Sequence, residues 1–101
     1  MGIMDVIKQR RTVKKFKPDE IAEQKWKSWL EAASYAPNHR MTEPWEIMVL
    51  GPATRKKLAH KTDMGGAPLV LAILSKKGKT LLETEENKAA TACFIQNFML
   101  A

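Results

Sequence analysis

The chain has 101 residues and a formal charge of +6, with 45% hydrophobic and 28% charged residues, the balance of a soluble globular protein and not of a disordered or membrane-spanning chain. Its mass of 11.4 kDa implies one small domain: area scaling gives roughly 5,800 Å² folded against about 16,500 Å² unfolded, so folding alone hides only about 65% of the surface. No apolar run approaches the roughly 20 residues needed to cross a bilayer, and Met1-Gly2-Ile3-Met4-Asp5 lacks a signal peptide's basic and long apolar regions; the expected setting is the cytoplasm, with no membrane partner. Cys93 is the single cysteine, which excludes an intrachain disulfide and a multi-cysteine zinc site.

Ile3, Val6 and Ile7 fit one face of a short helix from Ile3 to about Arg10, after which Thr12-Val13 and the run to Pro18 turn extended. Asp19 can cap a second helix to about Ala36, with Ile21, Trp26, Trp29, Leu30 and Ala33 on one stripe. Pro37 stops it, and Asn38 to Pro44 is a polar, aperiodic loop with a proline at each edge. Trp45 to Leu50 reads as a strand closed by Gly51-Pro52, and Thr54 to about His60 as a turn or two of helix that Asp63-Met64-Gly65-Gly66 breaks.

Ala67 to Leu74 is a continuous apolar run, expected to be a strand buried on both faces at the centre of the sheet. Thr80-Leu81-Leu82-Glu83 has capping-box spacing, and the chain from there to Ala101 reads as a helix with almost no polar face. A helix that is apolar all round needs cover on two sides, from another chain or from further residues. There are no repeats and no linker, so residues 1–101 read as one unit.

Three clusters carry possible chemistry. Residues 1–17 hold Lys8, Arg10, Arg11, Lys14, Lys15 and Lys17 against one acid, Asp5. Two guanidiniums and the Thr12 hydroxyl at a helix exit can surround a phosphate with charge-assisted hydrogen bonds of about 1.5–3 kcal/mol each; the same residues also fit a solvated basic helix end that complements the helix dipole. The loop Pro37-Asn38-His39-Arg40-Met41-Thr42-Glu43-Pro44-Trp45 presents an amide, an imidazole, a guanidinium and a large ring on a stiffened segment, suited to lining a ligand site or to a rigid turn whose polar groups satisfy local backbone. Gly78-Lys79-Thr80 resembles the end of a phosphate-binding P-loop, but the required glycine five positions earlier is Ile73. His39, His60 and Cys93 form no metal-ligand spacing, and Cys93 reads as a small core residue. A nucleic-acid module is disfavoured because Trp26, Trp29 and Trp45 do not alternate with the basic residues as a stacking platform would.

Taken in order, Arg10-Arg11-Thr12-Val13-Lys14-Lys15-Phe16, Leu30-Glu31-Ala32-Ala33 with Ala36 to Trp45, Ala67-Pro68 with its apolar strand, and Ala90-Thr91-Ala92 to Ile95-Gln96-Asn97 resemble the FMN-dependent nitroreductase family. The Asn-His form of the loop looks like its small, minimal branch, and the likeness covers the N-terminal half of the family pattern. The resemblance implies an α+β fold with a mainly antiparallel sheet flanked by helices, its C-terminal part absent here, and an intertwined homodimer whose core contains the helix around Glu85 to Ala101. It implies FMN as cofactor and NADH or NADPH as electron donor, in ping-pong reduction of a nitroaromatic or quinone-like small-molecule acceptor. By position, Arg10 and Arg11 would bind the FMN phosphate and ribityl chain, Thr12 would supply a hydroxyl where the family usually has serine, and Lys14 matches another basic position near the flavin. Pro37, Asn38 and His39 match the loop that reaches the flavin from the other subunit, with Tyr35 as a further contact. No catalytic side chain and no metal ligand is assigned. The competing expectations are a non-catalytic dimerising remnant and the basic nucleic-acid module.

Overall fold

The computed structural model describes residues 2–38, 41–58 and 64–101. The elements are helix α1 (Ile3–Gln9), helix α2 (Glu23–Ala33), strand β1 (Trp45–Val49), helix α3 (Pro52–Leu58), a 3-10 turn at Met64–Gly66, strand β2 (Leu71–Ser75) and helix α4 (Leu81–Leu100). His39 and Arg40 of the loop, and the expected end of α3 at His60, lie outside the described residues. The architecture is α+β: β1 and β2 pair antiparallel from Trp45 opposite Ser75 to Val49 opposite Leu71, and α2 and α4 pack together against them. Among the described residues no helix is long and apolar enough to cross a membrane.

The core forms where three elements meet. Ala33 and Ala36 from the end of α2, Trp45 from β1, and Ala90 and Phe94 from α4 are buried together, with Leu30, Ile73 and Phe98 packed against them. The small residues let α2 approach α4, and the space is filled by the rings of Trp45 and Phe94, tilted at 34° with centroids 4.8 Å apart. Trp29 meets Phe98 edge-on at 6.2 Å. Trp29, Leu30 and Ala33 of the predicted stripe thus face α4, while Ile21 lies before the helix.

α4 is the longest element and starts as its sequence directs. The Thr80 hydroxyl accepts from the Glu83 N–H at 3.1 Å, while the Glu83 carboxylate accepts from the Lys79 N–H at 3.1 Å, so the capping box closes one residue earlier than its usual form. Gly78 fits the same corner: a Cβ there would lie 2.6 Å from Glu83 Cβ, which leaves room only for glycine. The buried side chains of α4 are Asn87, Ala90, Thr91 and Phe94. Asn87 donates to Lys76 O at 3.1 Å, Lys76 N–H donates to Pro44 O at 2.8 Å, and Thr91 donates to Asn87 O at 2.8 Å. This chain of bonds ties the end of the 37–44 loop to β2 and α4.

Four expectations need correction. Asp19 does not cap α2: Ala22 holds that position, and its carbonyl accepts from Lys25 and Trp26. The chain stays extended through Ile21, which reaches an apolar hollow beside β2, so tertiary burial overrides the local cap signal. α2 stops at Ala33 and not Ala36 because the chain tightens into i→i−3 turns, Tyr35 N–H to Ala32 O at 3.3 Å and Ala36 N–H to Ala33 O at 3.0 Å, ahead of Pro37, which disfavours helical geometry in the residue before it. β2 begins at Leu71, not Ala67, and is not buried on both faces: Leu71 to Ile73 are half-buried, Leu74 and Ser75 exposed. Its only partner among the described residues is β1, so it is not a central strand here. Cys93 is exposed, because it lies about 100° around α4 from the buried Phe94.

Truncating Phe94, which is 1% exposed, is expected to cost about 3–5 kcal/mol through its cavity. Lys27→Ala, which removes an exposed 2.8 Å pair with Glu23, is expected to cost less than about 0.5 kcal/mol. Urea unfolding of both variants checks this ordering; equal losses would mean that the Trp45–Phe94 contact is not the centre of the core.

Candidate functional site

The basic segment leaves α1 as an extended strand of chain. Arg10 ends the helix with ψ at 131°, and Arg11 folds back so that Nη1 donates to Lys8 O at 2.7 Å and to Arg10 O at 2.8 Å. Arg11 therefore closes the open carbonyl end of α1, using part of its fork and leaving its remaining N–H groups for an outside acceptor. Asp5, the one acid nearby, accepts from the Gly2 N–H at 3.3 Å at the other end of the helix. Among the described residues no ion pair engages Lys8, Arg10, Lys14, Lys15 or Lys17. Arg10 is half-buried, and Thr12 and Lys14 are exposed. A run of cations with no carboxylate to neutralise them is a donor set suited to a phosphate group.

The segment is fixed at one further point, which the sequence reading missed. The Phe16 N–H donates to Gly65 O at 2.9 Å, and the Lys14 carbonyl lies so close to Gly65 that a Cβ there would stand 2.2 Å from it. Gly65 and Gly66 have φ of 69° and 74°, the left-handed region that glycine enters without penalty. The Gly-Gly pair was legible as a break; its contact with residues about fifty positions earlier was not.

The second segment is the loop after α2. Its ends are anchored, since Ala36, Pro44 and Trp45 are buried. Between them Asn38 organises the turn: its Nδ2 donates to Ala36 O at 3.1 Å and its Oδ1 accepts from Glu43 N–H at 2.9 Å. Both ends of this amide are engaged within the loop, which stiffens the turn, and each keeps one further N–H or lone pair. Met41 and Glu43 are held at φ of 55° and 48°, uncommon geometry for residues with a Cβ. Pro37 is exposed, as is Tyr35 at 82%. No hydrogen bond or ion pair joins Arg10, Thr12 or Lys14 to Pro37 or Asn38 within one chain among the described residues.

Two hollows flank these segments. One, of about 320 Å³, is apolar and lined by Phe16, Ile21, Trp29, Leu71, Ile73 and Phe98 among others. The other, of about 460 Å³, is of mixed polarity and is lined by Thr42 and by the start of α4 from Lys79 to Asn87. Among the described residues no group of three or more His, Cys, Asp or Glu side chains could hold a metal ion. None of the three tryptophans is exposed, so they offer no stacking platform beside the cations.

Comparison with known proteins places this geometry. The model of the nitroreductase family matches residues 7–62, from α1 through the loop, β1 and α3. YfhC of Bacillus subtilis, named as an NAD(P)H nitroreductase, is 29% identical over 120 residues, covering 97% of this chain and 62% of its own length. That stretch is longer than the 101 residues of this chain, so the relative carries extra residues within it. Nitroreductase NfnB of Mycolicibacterium smegmatis is 41% identical over 55 residues, which is 54% of this chain and 24% of NfnB. A crystal structure of a nitroreductase-like family protein from Bacillus cereus superposes with a TM-score of 0.84 at 26% identity, covering 99% of this chain and 63% of that one. The FMN-dependent nitroreductase NfnB in complex with NADPH superposes at a TM-score of 0.75 and 18% identity, a likeness of fold. The chain thus spans under two thirds of YfhC and of the Bacillus cereus protein. A family pattern that takes in the basic segment, the anchored loop and the first strand, together with a shared fold along nearly the whole chain, makes this protein a member of the nitroreductase family.

Proposed function

We propose that residues 1–101 form one nitroreductase-like domain that binds FMN and serves an NAD(P)H-dependent reduction of nitroaromatic or quinone-like acceptors. The observation that carries the reading is the cationic segment from Arg10 to Lys14, free of acidic partners and backed by the helix-closing Arg11. Arg10, the outward N–H groups of Arg11, and Lys14 hold the phosphate, and the Thr12 hydroxyl adds a donor and acceptor next to the ribityl chain. When bound, FMN would supply the redox chemistry between NADH or NADPH and the acceptor. The protein's work is to fix the tail, to exclude water from the head, and to leave one face open; no side chain is assigned as acid or base.

The second subunit enters through surface area. The folded chain exposes 8085 Å² where a compact monomer of this mass exposes about 5,800 Å². The excess is comparable with what one partner buries in an obligate dimer. It is concentrated on apolar groups that a lone protomer leaves open: α1 has no buried residue, Ile3 is 73% exposed, and Met99 and Leu81 on α4 are 49% and 79% exposed. A seven-residue helix does not hold itself in water, so α1 too requires cover. We read the cover as a second copy docked along α4, with the loop carrying Pro37, Asn38 and His39 closing over the flavin bound by the other chain. That none of the three tryptophans is exposed supports a small-molecule ligand in place of nucleic acid. The setting that supplies both pyridine nucleotides is the cytoplasm.

Arg10→Ala is expected to weaken FMN binding about 10- to 100-fold, the equivalent of one charge-assisted contact, as read by quenching of flavin fluorescence. Unaltered affinity, or no uptake of FMN by the parent chain, would remove the flavin reading. Placing a charge on the outward face of α4 with Ala92→Glu is expected to turn dimers into monomers in sedimentation velocity. A parent chain that sediments as a monomer at all concentrations would end the proposed pairing.

A further inference from the structure

The contact between the left-handed Gly65 and the basic segment has no part in the reading above, and its geometry is restrictive. The Phe16 N–H donates to Gly65 O at 2.9 Å, while the Lys14 carbonyl oxygen occupies the space that a Gly65 side chain would need, at 2.2 Å, with Lys14 C at 3.0 Å and Phe16 Cδ2 at 3.1 Å. Phe16 also turns its ring toward the apolar hollow beside Ala67 and Pro68, the residues that follow the Gly-Gly turn. A backbone hydrogen bond, a backbone-to-backbone approach and an apolar side chain therefore meet within three residues of one strand of chain. Between this point and the end of α1 lie Arg10, which is half-buried, and the exposed Arg11, Thr12 and Val13; of these, Arg11 is tied only to the end of α1, through Lys8 O and Arg10 O, among the described contacts.

We propose that Gly65 is a positioning residue: its bare backbone is the seat on which Lys14 to Phe16 rests, and it sets where Arg10, Thr12 and Lys14 stand relative to a bound phosphate. It touches no ligand itself and acts through the segment it seats. The inference rests on the FMN reading of that segment. A side chain at 65 must displace the Lys14 carbonyl by about an ångström to restore ordinary contact, and a misplacement of that size around a charged ligand is worth roughly 10- to 100-fold in a position-sensitive step. Gly66 supplies the internal control. Its φ of 74° imposes comparable backbone strain, but the nearest atom to a Cβ there is Phe16 O at 4.0 Å, so the collision is absent.

The test compares the parent chain, Gly65→Ala, Gly66→Ala and Arg10→Ala for FMN and for riboflavin, which carries the same ring and ribityl chain without phosphate. Amide hydrogen exchange at Phe16 is followed in parallel. Gly65→Ala is expected to lower FMN affinity about 10- to 100-fold with riboflavin affinity unchanged, and to lose protection at the Phe16 amide; Gly66→Ala is expected to keep the FMN preference and the protection. Should Gly65→Ala not fold by circular dichroism, Phe16→Ala loosens the same seat from its other side and is expected to erode the FMN preference in the same direction. Equal losses for both ligands, an intact preference, or an amide as protected as in the parent would overturn the proposal. If Arg10→Ala abolishes the preference and Gly65→Ala does not, only the role of Gly65 fails; a parent chain with no preference for FMN over riboflavin overturns the phosphate reading and this role with it.

Discussion

The contact between Trp45 and Phe94 is the constraint on which the rest of the arrangement depends. Trp45 is at once the first residue of β1 and the last anchor of the loop, and Phe94 sits in the middle of α4. Their packing fixes the sheet against the long helix and, in the same act, pins one end of the loop proposed to meet the flavin. Ala33 and Ala36 close the other end against the same pair. The loop can then tolerate left-handed Met41 and Glu43 because both of its ends are held by burial and its middle by the Asn38 amide. Geometry that would be unfavourable in a free peptide persists here because the surroundings over-determine it.

The two candidate segments are held by different means. The loop is built into the core, whereas the cationic run hangs between a short helix that buries nothing and a single glycine seat. That difference suits the roles proposed for them. A ring binds against a stiff surface, and stiffness is what the proline-bracketed turn provides. A phosphate is recognised by several side chains converging on one point, and the point is defined by where the backbone beneath them rests. Arg11 shows how both demands share one residue, since its guanidinium closes α1 with one nitrogen and keeps the remainder of its fork outward.

Much of this was legible in the residues. The span of α4 followed from a capping signal and an unbroken run without proline or glycine; Thr80 caps as that signal requires, while Glu83 reaches the Lys79 N–H, one residue beyond the usual partner. The loop was legible from its prolines and the cationic segment from its charge. The start of α2 was not, because Asp19 is a sound local cap that loses to the burial of Ile21. The extent of β2 was not, because apolar continuity from Ala67 to Leu74 does not distinguish a paired strand from an apolar approach to one, and Pro68 brings no N–H to a ladder. Cys93 was misjudged because composition says nothing of which way a side chain points when a helix is apolar on every side. The seat at Gly65 depends on a contact far apart along the chain, which no local pattern encodes.

The surplus of exposed surface bears on the pairing proposed above. In that arrangement a second copy covers α1, which buries nothing of its own, and the exposed flank of α4, so the folding free energy is shared between the two copies. Stability then follows mass action: dilution acts as a denaturant, and the concentration of the chain becomes a term in its stability.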